Sequence, residues 1–264
     1  MTAAAELREI CAAAAEAGAR TLRDLYGRPR DVQFKGRIDL VTDADKASEE
    51  AVLNILRERA PGAGILAEES GEQGGGSLRF IVDPLDGTTN YAHGLPLFCC
   101  TVGAEEDGAL AAGCTVDPLR GETYLVARGE GAQLGTANGT RPLRVSAASE
   151  LVEALLCTGF PYGDRDKLPE MIAAFGKATE LSRGTRRLGS AALDLAYVAA
   201  GRLDGFWEMG LKAWDVAAGV LLVREAGGVV TRFDGAPHQL AGGEILAAPP
   251  TLHPKLSRML TAVR

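Results

Sequence analysis

The chain has 264 residues, enough for one large domain or two small ones, and its 46% hydrophobic and 24% charged residues are the balance of an ordinary water-soluble globular protein. Its net charge of −7 argues against non-specific nucleic-acid binding and against an anionic membrane surface, without excluding a local basic site. No apolar run approaches membrane-span length, and residues 1–10 lack the basic-then-apolar order of a signal peptide, so a cytoplasmic protein is expected. The five cysteines, Cys11, Cys99, Cys100, Cys114 and Cys157, are odd in number and form no CxxC pair or zinc spacing. They are expected as buried small hydrophobes in a reducing compartment.

Residues 3–26 are alanine-rich, with Leu7, Ile10, Ala14, Leu22 and Leu25 spaced along one helical face, and Gly27, Arg28 and Pro29 stop the helix. A short strand over 32–34, a basic loop Lys35-Gly36-Arg37 and a strand over 38–42 follow. Thr42 or Asp43 caps a helix that runs to about Ala60. Ile65-Leu66 is a short strand ending at Glu68-Glu69-Ser70, and the glycine-rich residues 71–77 read as a mobile linker. Phe80-Ile81-Val82 is a buried strand. Residues 96–134 alternate β-type segments with Gly- and Asp-containing turns, an antiparallel meander, and Asn138-Gly139 signals a tight turn. Beyond it come a strand over 155–160, helices over 168–181 and 190–200, a strand around 206–208 and a helix over 214–226 closed by Gly227-Gly228. A hairpin arm at 229–232, a strand at 245–248 and a terminal helix over 252–263 complete the chain. Helical and β-segments mix throughout without an internal repeat. The expected unit is one domain over 1–264, divided softly near 135–150 into two halves that share one site.

The chemistry concentrates at Asp83-Pro84-Leu85-Asp86-Gly87-Thr88-Thr89-Asn90, where a strand ends in two carboxylates around a proline and a turn passes into a helix start. Hard cations bind the carboxylates, while the outward Gly87 and Thr88 N–H groups and the helix dipole suit a phosphate. Further acids stand at other element ends: Asp39, Asp43 and Asp45 at a strand-to-helix junction, Glu68-Glu69 at a strand end, and Asp215 at a helix start. Carboxylates bunched in this way repel one another unless a cation neutralises them. Oxygen-only ligands favour Mg²⁺ over zinc. Trp214 and His93 read as structural, Arg186-Arg187 as partners of acids, and Cys99-Cys100 lack the acid–base neighbour a nucleophile needs.

These residues resemble the inositol monophosphatase family. The stretch from Asp83 to Asn90 looks like its hallmark motif, and Trp214-Asp215-Val216-Ala217-Ala218-Gly219 looks like its second. Ala67-Glu68-Glu69-Ser70 and Asp39-Leu40-Val41-Thr42 with Asp45 are similar to its upstream acidic elements. Order and spacing agree from about residue 5 to 262, and residues 189–208 are most similar to bacterial members of the inositol-1-monophosphatase type.

The resemblance implies an α+β fold, a layered α/β/α/β/α sandwich of the inositol monophosphatase/fructose-1,6-bisphosphatase type with predominantly antiparallel sheets. It implies a homodimer and a lithium-sensitive, Mg²⁺-dependent phosphomonoesterase with two to three ions per site. Glu68, Asp83 and the Leu85 carbonyl would hold the first Mg²⁺, and Asp83, Asp86 and Asp215 the second. A third, weaker ion would sit near Glu68. Thr88, paired with Asp45, and Glu68 would orient the attacking water. Asp86, Gly87, Thr88, Ser190, Ala191, Glu208 and Lys35 would contact the substrate, a small phosphate monoester, with myo-inositol 1-phosphate as the expected one. Related enzymes act on fructose 1,6-bisphosphate, histidinol phosphate or a 3′-phosphonucleotide, and some bacterial relatives also act in transcription complexes.

Overall fold

Two large sheets of unequal size, beside a two-stranded antiparallel hairpin, organise the chain in the computed structural model, which describes residues 3–28, 32–34, 40–161 and 165–263. The elements in order are α1 (Ala3–Leu25), β1 (Val32–Phe34), β2 (Leu40–Thr42), α2 (Asp43–Arg59), β3 (Gly64–Ala67), β4 (Gly71–Gln73), β5 (Leu78–Asp86) and α3 (Thr88–Ala92). The meander β6 (Cys99–Glu106), β7 (Ala109–Asp117), β8 (Glu122–Ala127), β9 (Gly131–Thr136) and β10 (Gly139–Pro142) follows. Then come β11 (Leu155–Thr158), α4 (Leu168–Leu181), β12 (Gly184–Arg186), α5 (Ala191–Ala199), β13 (Gly205–Met209) and α6 (Ala213–Glu225). The chain closes with β14 (Val229–Thr231), β15 (Glu244–Ala248) and α7 (His253–Thr261).

The larger sheet has the order β10-β9-β8-β7-β6-β5-β3-β4, and the smaller β12-β11-β13-β15-β14. Side-chain alternation along the strands sorts the apolar residues into three cores. Phe80, Val82, Cys100, Val102 and Ala104 face α1 and α2 in one of them. Cys99, Tyr124 and Val126 face α5 and α6 from the other side of the same sheet, where Phe206, Ile245 and Ala247 meet those helices from the smaller sheet. Trp207, Met209, Leu246 and Ala248 point the opposite way, against α4 and α7. The result is five alternating layers, α/β/α/β/α, each sheet hydrophobic on both faces because helices cover both.

Several expectations change in detail. Antiparallel pairing dominates the larger sheet, where β3–β5 is the parallel exception, but β11 runs parallel to both β12 and β13, so the smaller sheet is evenly mixed. Residues 71–77 are not a plain linker: β4 pairs antiparallel with β3 and extends the sheet edge. A three-residue edge strand carries too short a pattern to separate from a glycine-rich loop, and β12 escaped for the same reason. The tight turn sits one residue earlier than Asn138-Gly139; Ala137-Asn138 form the two-residue loop, and Gly139 opens β10 at φ 111°. All five cysteines are buried and free.

Candidate active site

The turn after β5 is built by an interruption of pairing. Asp83 pairs with Thr101 and Asp86 with Cys99, with a register shift between them that bulges Pro84-Leu85 out of the ladder. Gly87 then adopts φ 97°, and a Cβ there would stand 2.9 Å from the Leu97 carbonyl oxygen, so only glycine makes this turn without displacing the backbone. The helix that follows, α3, has five residues. It is a single turn, so what it offers an anion is its individual N–H groups rather than the dipole of a long helix.

Helix α2 holds this turn from one face through residues spaced three and four apart. Asp45, fully buried, accepts from the Thr42 N–H (2.8 Å) and hydroxyl (2.7 Å), closing a capping box. Its other oxygen accepts from the Thr88 hydroxyl at 3.2 Å, so Asp45 caps the helix and serves the site at once. The Thr88 hydroxyl also lies 3.1 Å from the Leu85 carbonyl, so one proton serves two acceptors. Ser48 donates to the Pro84 carbonyl at 2.7 Å, and Glu49 accepts from the Glu69 N–H at 2.9 Å, tying down the Glu68-Glu69 turn. Ser48→Ala is expected to lower stability by about 1–3 kcal/mol, the cost of a buried carbonyl left without a donor. An unchanged thermal midpoint would show that the bond contributes nothing.

Glu68, Asp83, Asp86 and Asp215 line one cavity of about 530 Å³, together with Leu85, Gly87, Thr88, Ser190, Ala191 and Glu208. Asp215 arrives on the first turn of α6, where its carboxylate accepts from the Lys212 N–H at 2.7 Å. Asp86 accepts from the Ser190 hydroxyl (2.8 Å) and the Ala192 N–H (2.6 Å) at the start of α5. Asp83 accepts from the Leu85 N–H at 3.0 Å. Burial raises Asp83 well above the usual carboxylate range, and Glu68, Asp86 and Asp215 push it further. Burial likewise pushes Asp86 up to about 6 against its hydrogen bonds, and pushes Asp215 up to about 8 with help from Asp86.

The donor chemistry fits a hard divalent cation. The donors are all oxygen, a protein N–H orients three of the carboxylates, and their mutual repulsion is the energy a cation would relieve. No group of three Asp, Glu, His or Cys side chains among the described residues already forms a ready-made chelate. Ligation would therefore require side-chain adjustment within the cavity.

Strand β13 places Glu208 on the face shared with Phe206, towards α5, and β11 runs beside it in parallel. Gly159, just past β11, leaves the space the Glu208 carboxylate fills; a Cβ there would overlap it. Lys35 and Asp39 lie outside the described residues. Arg187, expected merely to pair with acids, lines the cavity, as do Asp194, Lys167 and Lys212. Of these Asp194 had a local signal, four residues after Ser190 and hence on its side of α5. Trp214 is half-buried on the cavity wall, His93 is exposed, and Cys99 lies with its sulfur 3.9 Å from Asp86 and 3.7 Å from Ser190, burial raising its thiol far from the nucleophilic range.

A five-layer α+β fold with a carboxylate-lined cavity at the meeting of both sheets is that of a metal-dependent phosphoric monoester hydrolase. The inositol monophosphatase family profile matches residues 3–263, and the chain belongs to that family. It is 42% identical over 257 residues to inositol-1-monophosphatase of Synechocystis, covering 96% of this chain and 88% of that protein. It is also 42% identical over 231 residues to Nus factor SuhB of Pasteurella multocida, covering 86% of this chain and 85% of that one. The structure of inositol monophosphatase from Anabaena superposes with a TM-score of 0.87 at 44% identity, over 98% of this chain and 96% of that chain.

Proposed function

We propose that this enzyme hydrolyses myo-inositol 1-phosphate and similar polyol phosphates with Mg²⁺. The observation that carries the reading is the gathering of Glu68, Asp83, Asp86 and Asp215, from distant parts of the chain, around one cavity that also holds Glu208. Glu68, Asp83, the Leu85 carbonyl, Asp86 and Asp215 are the residues that would hold two to three ions. Bound Mg²⁺ supplies charge against the phosphoryl oxygens, a more acidic water and a stabilised leaving oxygen. The chain supplies the rest. Thr88 takes up a proton relay position: its hydroxyl donates to Asp45, which leaves its lone pairs to receive the proton of a water aligned by Glu68. The Gly87 and Thr88 N–H groups face the phosphoryl oxygens, and Glu208 and the Ser190-Ala191 backbone receive the hydroxyls of the leaving group. No covalent phospho-enzyme is invoked.

Phosphate release measured across myo-inositol 1-phosphate, fructose 1,6-bisphosphate, histidinol phosphate and a 3′-phosphonucleotide, with and without Mg²⁺, tests the substrate. A tenfold preference for histidinol phosphate would overturn it. Glu208→Ala is expected to raise KM for inositol phosphate about tenfold, the loss of one charged hydrogen bond, with Mg²⁺ half-saturation unchanged. A shift in the Mg²⁺ dependence instead would place Glu208 among the metal ligands. We further propose a cytoplasmic, lithium-sensitive homodimer, each chain forming one domain.

The relatives named Nus factor SuhB favour a second reading, a protein contact in a transcription complex apart from catalysis. The net charge of −7 disfavours direct nucleic-acid binding but not protein contacts. Retention of the same partner by wild type and by the inactive Asp83→Asn variant would support it.

A further inference from the structure

Asp194 is the one acid lining the cavity to which no role as metal ligand, phosphate contact or leaving-group contact has been given. It lies on the first turn of α5, 1% exposed, on the cavity wall. Its N–H donates to the Ser190 carbonyl at 3.0 Å, so it is held on the same turn whose Ser190 hydroxyl and Ala192 N–H bind Asp86. The Cys157 thiol lies against its carboxyl from the core side. Yet its Oδ1 is buried without a hydrogen-bond partner among the described residues.

A buried carboxyl oxygen with no donor is costly, and one retained in a cavity wall calls for a functional role, a bound water or ion, or strain as its account. The neighbourhood says which. Asp194 is the acid that acts most strongly on Glu208, and the Arg187 guanidinium on the cavity wall offsets the charge of both. A second phosphate would meet two carboxylates there and be repelled. A hydrocarbon or aryl group would strand three polar groups. A ligand bearing several hydroxyls can donate to two carboxylates at once and accept from the guanidinium.

We propose that Asp194 is a specificity-determining residue that, beside Glu208, reads a hydroxyl of the leaving group and so selects polyhydroxylated phosphate monoesters. The assignment rests on the polyol phosphatase reading above. It extends the leaving-group pocket from the strand β13 side to the helix α5 side.

The test compares myo-inositol 1-phosphate with phenyl phosphate, whose leaving group carries no hydroxyl, on wild type and Asp194→Asn with saturating Mg²⁺. For the polyol phosphate KM should rise about tenfold with kcat within about threefold, because one buried hydrogen bond to substrate is altered. For phenyl phosphate both constants should stay within about twofold of wild type. Equal losses on the two substrates would mean that Asp194 only positions Asp86 through α5, and no change on either would mean that its oxygen meets water alone; each overturns the proposal. Should the variant fold poorly, monodeoxy-inositol 1-phosphates on the wild type answer the same question: at least one should show the tenfold KM rise, and uniform KM values would overturn it. A wild type that prefers phenyl phosphate to inositol phosphate refutes the polyol reading itself, and this proposal with it.

Discussion

Asp86→Asn is expected to lower turnover by about 100-fold or more, in the range seen when one electrostatic element of a preorganised site is removed. Asp86 stands at the junction of the bulged turn and α5, and its hydrogen bonds to Ser190 and Ala192 hold the two halves of the site together. Asparagine keeps an oxygen for the Ala192 N–H, so the architecture survives while the charge is lost. Stability should move the other way. A carboxyl raised from 3.8 to about 6 on folding binds its proton more tightly in the native state, so the wild type loses stability as pH rises from 4 through 6 and remains penalised above. In EDTA at pH 8 the variant should therefore unfold at or above the wild-type temperature, the difference shrinking towards pH 4. Mg²⁺ should raise the unfolding temperature of the wild type much more than that of the variant. Turnover within threefold of wild type would remove Asp86 from the site.

Gly113→Val is expected to cost about 3 kcal/mol, at the upper end for overpacking a filled core, and to lower the thermal midpoint by roughly 6–12 °C for a chain of this size. Gly103 and Gly113 are register partners on β6 and β7, and they face α6. A Cβ at Gly113 would stand 2.8 Å from the Ala218 Cβ and 2.9 Å from its Cα. One at Gly103 would stand 2.8 Å from the Ala217 Cβ. The obstacle at Gly113 includes backbone, so the helix itself must move away. Asp215 rides on the first turn of that helix, so the folded fraction should also lose activity, with a raised Mg²⁺ requirement. Activity per folded molecule equal to wild type would show that the depth of α6 on the sheet is not what places Asp215. The bulkier side chain, rather than a polar one, isolates the steric effect from any change in charge.

These two residues also mark where local and long-range information divide. The bulged turn was legible in the chain because its parts are local: β-branched residues for the strand, Asp-Pro to interrupt pairing, Gly87 for a left-handed turn. The start of α2 is legible only as far as Thr42 or Asp43, and its Thr42–Asp45 capping box comes from the structure; the helices are legible because their periodicity is written within each segment. The inositol monophosphatase motifs brought Glu68, Asp83, Asp86 and Asp215 into one hypothesis, and one cavity holds them.

Tertiary structure alone decided the rest. That β11 runs parallel to β12 and β13, and that Arg187 and Asp194 share a cavity with Glu208, depend on how separate segments of the chain pair and pack. Such pairings leave no periodic trace in either partner, because what selects them is the mutual burial of two surfaces and the room one backbone leaves another. Gly103, Gly113 and Gly159 illustrate this: as letters they read as weak points in a strand or its end, and only the neighbouring helix or carboxylate shows that each is the space into which the site is set.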